Sequence, residues 1–217
     1  MGVILTVASS KGGSGKTTLA TILGVGLAAR GQSVAMLDAD PNATLSDWLE
    51  KNFEGPPLAS EAEKDHVAII ERAYGLAEKY AVVVIDTAGF ANLTAASAIA
   101  QADAVLIPCM ADRGSVREAM RTAAQVASLG KAARRSIPYR VVLSQWFARG
   151  LAEAAARADL DGSGVSCLAT AIPALANVKQ FTFTGSLPTS GRLADVSAEL
   201  LAELDALKFT PRQRKPQ

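Results

Sequence analysis

Short apolar runs alternate with amphipathic or alanine-rich stretches along almost the whole chain. Residues 3–8, 34–37, 81–85, 104–107, 139–143 and 165–169 are rich in Val, Ile, Leu and Ala. Runs of this length without polar alternation read as strands buried on both faces. Between them lie stretches with helical spacing, at 16–30, 44–51, 60–79, 93–101, 116–129, 151–158 and 193–207. The first ends at Arg30-Gly31, a basic residue followed by a glycine stop. Ser60 and Glu63 have the spacing of a capping box, which predicts helix entry there, with Val67, Ile70, Tyr74 and Ala77 on the buried side. Residues 171–190 show no period. Strand and helix alternate with no internal repeat. The expected fold is therefore a single-domain α/β protein, a doubly wound, mostly parallel sheet with helices on both faces. Ligands of such sheets bind beyond the carboxyl ends of the strands.

The junction between the first strand and the first helix carries the strongest chemical signal. It reads GVILTVASSKGGSGKTT over residues 2–18. A buried strand runs into a small, glycine-rich segment, and Lys16-Thr17-Thr18 open a helix. Glycines let backbone N–H groups approach phosphate oxygens, and the helix N-terminus favours negative charge. Lys16 is placed to reach β- and γ-phosphates, and the Thr17 hydroxyl to ligate Mg²⁺. The phosphate-binding set is Lys11, Gly12, Gly13, Ser14, Gly15, Lys16, Thr17 and Thr18. The usual P-loop begins with glycine at the position of Ser10, and here a second lysine, Lys11, follows it.

Three acids complete the pattern. Asp38 and Asp40 follow the second apolar run, and Asp86 closes the third after Val82-Val83-Val84-Ile85. Asp86 has the position of a Walker B carboxylate that holds Mg²⁺ through water. Asp38 is expected near the metal as well. Gly89 is placed to offer its N–H to a γ-phosphate. No glutamate follows Asp86, so the water-positioning role passes to Asp40.

Composition narrows the class further. The chain has 217 residues, 49% of them apolar and 5% aromatic, which suits one sizeable α/β core. No run approaches the roughly 18 apolar residues of a membrane helix. The first residues enter a strand without a leader pattern, so a cytoplasmic protein is expected. Cys109 and Cys167 sit in apolar runs and read as free buried thiols, and His66 is the sole histidine. A net charge of +1 conceals a strong asymmetry: residues 38–78 carry ten acids and three bases, while residues 113–157 carry nine bases and two acids. Four bases also lie within the last ten residues.

KGGSGKTT (residues 11–18), LDADPNATLSDWL (37–49), VVVIDTAG (82–89) and ADAVLIPC (102–109) together resemble the ParA/MinD deviant P-loop ATPases. The likeness is to small ParA-type partition ATPases that lack an N-terminal helix-turn-helix domain. It covers the first half of the chain in motif and the second half in layout only. The resemblance implies a P-loop NTPase domain at residues 1–208, with a basic, flexible tail at 209–217. It implies ATP and Mg²⁺ as cofactors and a homodimer that sandwiches two ATP molecules. Lys11 would then cross to the partner's phosphates, so that Lys11, Lys16 and Asp40 form the catalytic set. Adenine would be held by backbone near Pro173.

The same resemblance implies weak ATP hydrolysis stimulated by an adaptor or centromere-binding protein, and nonspecific binding to double-stranded DNA on the nucleoid. The cargo would be a plasmid, a chromosome region or a protein cluster. DNA contacts are expected among Arg113, Arg117, Arg121, Arg134, Arg135, Arg149, Arg157, Lys179 and Arg192, with Arg212, Arg214 and Lys215 of the tail. The chain departs from the family pattern at Asn42, where Gln is usual, and at Ser144-Gln145, where a basic residue is common. A MinD-like membrane-positioning ATPase is the alternative, but the last residues lack the bulky apolar groups of an amphipathic anchor. Neither the cysteines of an iron–sulfur relative nor a small-molecule substrate motif is evident.

Overall fold

The computed structural model describes residues 1–89, 92–147, 149–174, 178 and 185–211. Six strands form one all-parallel sheet: β1 (Val3–Val7), β2 (Val34–Ala39), β3 (Ala59–Ala62), β4 (Val82–Thr87), β5 (Ala104–Cys109) and β6 (Tyr139–Leu143). Their spatial order is β3-β2-β4-β1-β5-β6. The helices are α1 (Lys16–Ala29), α2 (Thr44–Lys51), α3 (Ala68–Lys79), α4 (Leu93–Gln101), α5 (Arg113–Ala132), α6 (Leu151–Gly162) and α7 (Arg192–Ala206).

Alternate strand residues point to opposite faces, and both faces are covered, so the strands are apolar throughout. On one face Leu5, Val7, Met36, Val84, Leu106 and Val142 pack under α1 and α7. On the other, Ile4, Leu37, Val83 and Ile85 meet Ile69, Ala73 and Leu76 of α3. Val105, Ile107, Val141 and Leu143 meet α5 and α6 on that same side. Helix α1 lies between the sheet and α7, and residues 19–28 are all buried. That explains a helix apolar on every side rather than on one stripe.

Four expectations need correction. Residues 165–169 form no strand: a single bridge pairs Cys167 with Val141 beyond β6. Pairing with β6 is interrupted where Glu203 of α7 accepts the N–H groups of Ala169 and Thr170, at 2.7 and 3.0 Å, and returns when Ile172 donates to Leu143. The helix expected from residue 60 begins at Ala68, and residues 59–62 are instead the edge strand β3. Asp65, not Ser60, supplies its N-terminal acceptor, taking the N–H groups of Val67 and Ala68 at 2.8 Å. Consequently the buried face of α3 is Ile69, Ala73, Leu76 and Ala77, while Val67 and Tyr74 are exposed. Finally, the boundary at 208/209 falls too early. Phe209 and Thr210 are buried, Phe209 joins the α1/α7 core, and Thr210 donates to Asp205. Residues 212–217, including Arg212, Arg214 and Lys215, lie outside the described residues.

Candidate functional site

Parallel registry brings the chemistry to one place. Asp86 of β4 stands level with Asp38 of β2 on one side and Val7 of β1 on the other. The loop of residues 8–15 leaves β1 at that level and turns into α1. Gly13 and Gly15 take left-handed φ values of 71° and 96°, which a side chain would strain. At Gly12 and Gly13 an added Cβ would meet nothing within 4 Å, so the loop surface is open. Gly15 caps α1, and no side chain accepts from the first turn among the described residues. Those N–H groups at Lys16, Thr17 and Thr18 remain for an anion. Lys16 is buried, and its Nζ donates to the Lys11 carbonyl at 3.1 Å. Burial lowers its pKa, against the opposing pull of Asp86 and Asp40.

Asp86 is fully buried, and neither of its carboxylate oxygens has a hydrogen-bond partner. Burial pushes its pKa up to about 7, with Thr17 and Lys16 acting as counterweights and Asp38 and Asp40 adding to the rise. The Ser14 hydroxyl is likewise buried without a partner. Two orphaned oxygens beside a threonine hydroxyl suit a hydrated divalent cation, an oxygen-loving ion that holds several waters. Asp38, Thr17 and Asp86 are therefore a fitting donor set. Asp38 differs from its neighbour: Oδ1 accepts from the Asp40 N–H at 3.0 Å and Oδ2 from the Ser46 N–H at 2.9 Å. It shapes the turn that presents Asp40. Asp40 is half-buried, accepts from the Asn42 N–H at 2.8 Å, and lines a 770 Å³ cleft with Ser10, His66 and Gly89. Gly89 lies close to the P-loop, where its Cβ would sit 3.6 Å from the Ser10 carbonyl.

Lys11 points to α5. Its Nζ donates to both oxygens of Asp112 and to the Ser115 hydroxyl. Ser10 is tied to the same helix, through Oγ to Glu118 at 2.6 Å and through its N–H to Thr122 at 3.4 Å. Sequence reasoning missed Asp112, Ser115, Glu118 and Thr122 as partners of the loop. Asp112-x-x-Ser115 is readable as a helix N-cap, but no local pattern links it to residues 101 and 104 positions away.

At the expected adenine side, Ser144 Oγ donates to the Ser14 carbonyl at 2.8 Å, which sets the 144–146 segment against the loop. The backbone near Pro173 is largely committed. Ile172 donates to Leu143 and accepts from Trp146, and Ala174 donates to Trp146.

The expected DNA residues divide into groups. Arg113, Arg117 and Arg121 run along exposed positions of α5, with Arg121 paired to Glu118 at 2.7 Å. Arg134 is exposed just beyond that helix, and Arg149 just before α6. Arg135 is structural in part: it donates to the Ala100 and Ala102 carbonyls at 2.7 Å, closing α4. Arg157 covers the Trp146 ring at 5.9 Å, and Arg192 pairs with Glu199 at 2.9 Å, both within one 630 Å³ groove. Lys179 lies outside the described residues. Cys109 is buried and Cys167 half-buried, both free. Among the described residues, no group of His, Cys, Asp and Glu forms a metal cluster, and no helix is long and apolar enough to cross a membrane.

The family model for VirC1 protein matches residues 1–161, which takes in everything from β1 through almost all of α6. The chain belongs to the VirC1 family. Protein ParA of Rhizobium radiobacter is 39% identical over 105 residues, 48% of this chain and 47% of that protein. The chain thus spans about half the length of that curated relative. Among solved structures, an ATP complex of McdA from Cyanothece superposes with a TM-score of 0.81 at 21% identity, covering 100% of this chain and 99% of that one. MinD of Pyrococcus horikoshii, complexed with Mg-ADP, gives 0.79 at 21% identity over 96% of this chain and 98% of that one. These structures share the fold. The VirC1 match includes the P-loop, all three acids and the α5 arginines, and it stops before Pro173 and Arg192.

Proposed function

We propose that this VirC1-family chain is an ATP-hydrolysing switch that closes into a homodimer on ATP, binds DNA without sequence preference, and so positions a cargo. The observation that carries the reading is Asp86, a buried carboxylate with two unpartnered oxygens beside Lys16 and Thr17. Such a group is costly to bury unless something is bound there. Mg²⁺ and ATP meet that need, and the Mg²⁺ and nucleotide in the MinD and McdA complexes agree with it.

In this mechanism the N–H groups of residues 13–18 and the Lys16 ammonium hold the phosphates. Thr17 would hold Mg²⁺ directly and Asp86 and Asp38 through water, and the bound ion would supply positive charge against the phosphoryl oxygens. Asp40, turned into the cleft by Asp38, orients the attacking water. Lys11 crosses to the partner subunit's nucleotide and stabilises charge there, so a single subunit hydrolyses poorly. An adaptor protein accelerates the step. Residues 1–210 act as one ATPase unit. The α5 arginines are the central DNA contacts, supported by their exposure and spacing. Such a protein works on the nucleoid.

The test combines ATP turnover, sedimentation and DNA retention. With ATP the protein should dimerise and stay on DNA, and with ADP it should do neither. Retention by acidic liposomes in place of DNA would favour the MinD-like alternative. Equal behaviour with both nucleotides would remove the switch.

A further inference from the structure

Lys11 is fully engaged within its own subunit. Its Nζ donates to Asp112 Oδ1 and Oδ2 at 2.8 and 2.9 Å, and to Ser115 Oγ at 2.9 Å. An ammonium has three donors, and each has an acceptor here. Asp112 serves twice. It also caps α5, with Oδ1 accepting from the Ser115 N–H at 2.9 Å and Oδ2 from the Ser115 hydroxyl at 2.6 Å. Gly114 keeps the site open, since a Cβ there would lie 3.0 Å from Asp112 Oδ1 and 3.6 Å from Lys11 Nζ. Ser10 anchors the preceding residue to Glu118, one turn further along the same helix.

We propose that Asp112 and Ser115 form a cis dock that holds Lys11 on its own subunit and competes with its reach to the partner's phosphates. The inference rests on the trans role of Lys11 proposed above. One ammonium cannot serve an anion on its own α5 and another across the dimer at once. Closing the dimer therefore breaks the pair in both subunits, and the cost enters the dimerisation constant twice. Each pair is partly open to solvent, with 30% and 48% of the two side chains exposed, so each cost is modest. If releasing one lysine weakens closure about threefold, releasing two weakens it about tenfold. Asp112 is thus a positioning residue that sets how much ATP-driven closure is needed before Lys11 changes sides.

Asp112→Asn tests this, because the amide oxygen can still cap α5 while the charge is gone. The midpoint protein concentration for dimerisation is measured by sedimentation with Mg²⁺ and a non-hydrolysable ATP analogue. Asp112→Asn should dimerise at about tenfold lower concentration. An unchanged or raised midpoint, in a variant whose circular dichroism matches the parent, overturns the dock. If Asp112→Asn loses α5, Ser115→Ala gives the same readout, with a smaller shift in the same direction. Lys11→Ala separates the two ideas. Dimerisation as in the parent would sink the trans role itself. Loss of the dimer together with an unmoved Asp112→Asn midpoint would sink the dock alone.

Discussion

Asp38 and Asp86 face each other in register on adjacent strands, both fully buried, and they are held in opposite ways. Asp38 has a backbone N–H on each oxygen, whereas Asp86 has none on either. Asp38 is fixed by the backbone and keeps one lone pair on each oxygen for a water of the cation, whereas both Asp86 oxygens are open to a ligand. Asp86→Asn should therefore stabilise the ligand-free protein while abolishing Mg²⁺-dependent hydrolysis. Burial pushes the Asp86 carboxyl up to about 7 even with Thr17 and Lys16 beside it, so ionising it at neutral pH costs stability that a neutral amide does not. A gain of about 1 kcal/mol would raise the melting midpoint by about 2–4 °C at this chain length. Calorimetry with and without Mg²⁺ checks it: a variant that melts lower than the parent would contradict the reading.

For Asp38 the expectation reverses. Asp38→Ala removes acceptors from the Asp40 and Ser46 N–H groups, so the turn that presents Asp40 loosens. Hydrogen bonds to a charged group are worth about 1.5–3 kcal/mol each. Relief of repulsion with Asp86 offsets part of that loss. The net result should be lower stability and lost turnover, with nucleotide binding at the P-loop largely kept. Isothermal titration against turnover separates these effects.

How much of this was legible in the sequence follows from the range over which each signal acts. The P-loop, the five strands other than β3 and Asp86 were readable because each is a contiguous run whose chemistry is local. Edge strand β3 was not, since ASEA is short, half-exposed and low in β-branched residues, and the nearby Ser60/Glu63 spacing imitated a cap. The false strand at 165–169 had the right composition, but Glu203 on a distant helix takes the N–H groups of Ala169 and Thr170 and interrupts its pairing with β6. The partners of Lys11 and Ser10 were invisible for the same reason: α5 lies over 100 residues away. Charge counting placed the arginines without knowing which were occupied.

Two arginines of the same basic stretch hold different places in the fold. Arg117 is exposed on α5, whereas Arg135 bonds the carbonyls that end α4. Arg113→Ala/Arg117→Ala should weaken DNA binding and lower the salt slope by about two, with stability unchanged. Arg135→Ala should instead cost up to about 1 kcal/mol of stability by removing two hydrogen bonds, one exposed and one part-buried, from the end of α4, with less effect on the slope. Filter binding across a salt series, beside thermal melts, distinguishes them. A reversed pattern would put Arg135 on the DNA face.

Packing of α1 offers a test independent of the ligand. Gly26 faces α7, where an added Cβ would lie 2.7 Å from Ser197 Oγ and 2.9 Å from Leu201 Cδ1. Gly26→Ala gains about 1 kcal/mol of helix propensity. Overpacking a tight buried seam costs about 1–3 kcal/mol, so the clash should win and the variant should melt lower. A higher melting point would mean that α7 yields easily.

The ion pair at Lys11 makes a pH prediction with a definite sign. Lys11 holds the Asp112 carboxyl down at about 2, with Ser115 adding to the effect. A depressed carboxylate pKa contributes stability that is present above the ordinary carboxyl range, near 4, and is lost as pH falls toward 2. Both side chains are substantially exposed, so the contribution should stay under about 1 kcal/mol. The sharper readout is the titration itself. In Lys11→Ala the Asp112 midpoint should rise toward the ordinary range, stopping short of it because the two Ser115 hydrogen bonds remain. Carbon-detected NMR of the carboxyl carbon follows this directly in the nucleotide-free protein. A midpoint that does not move on removing Lys11 would show that the pair does not persist in solution.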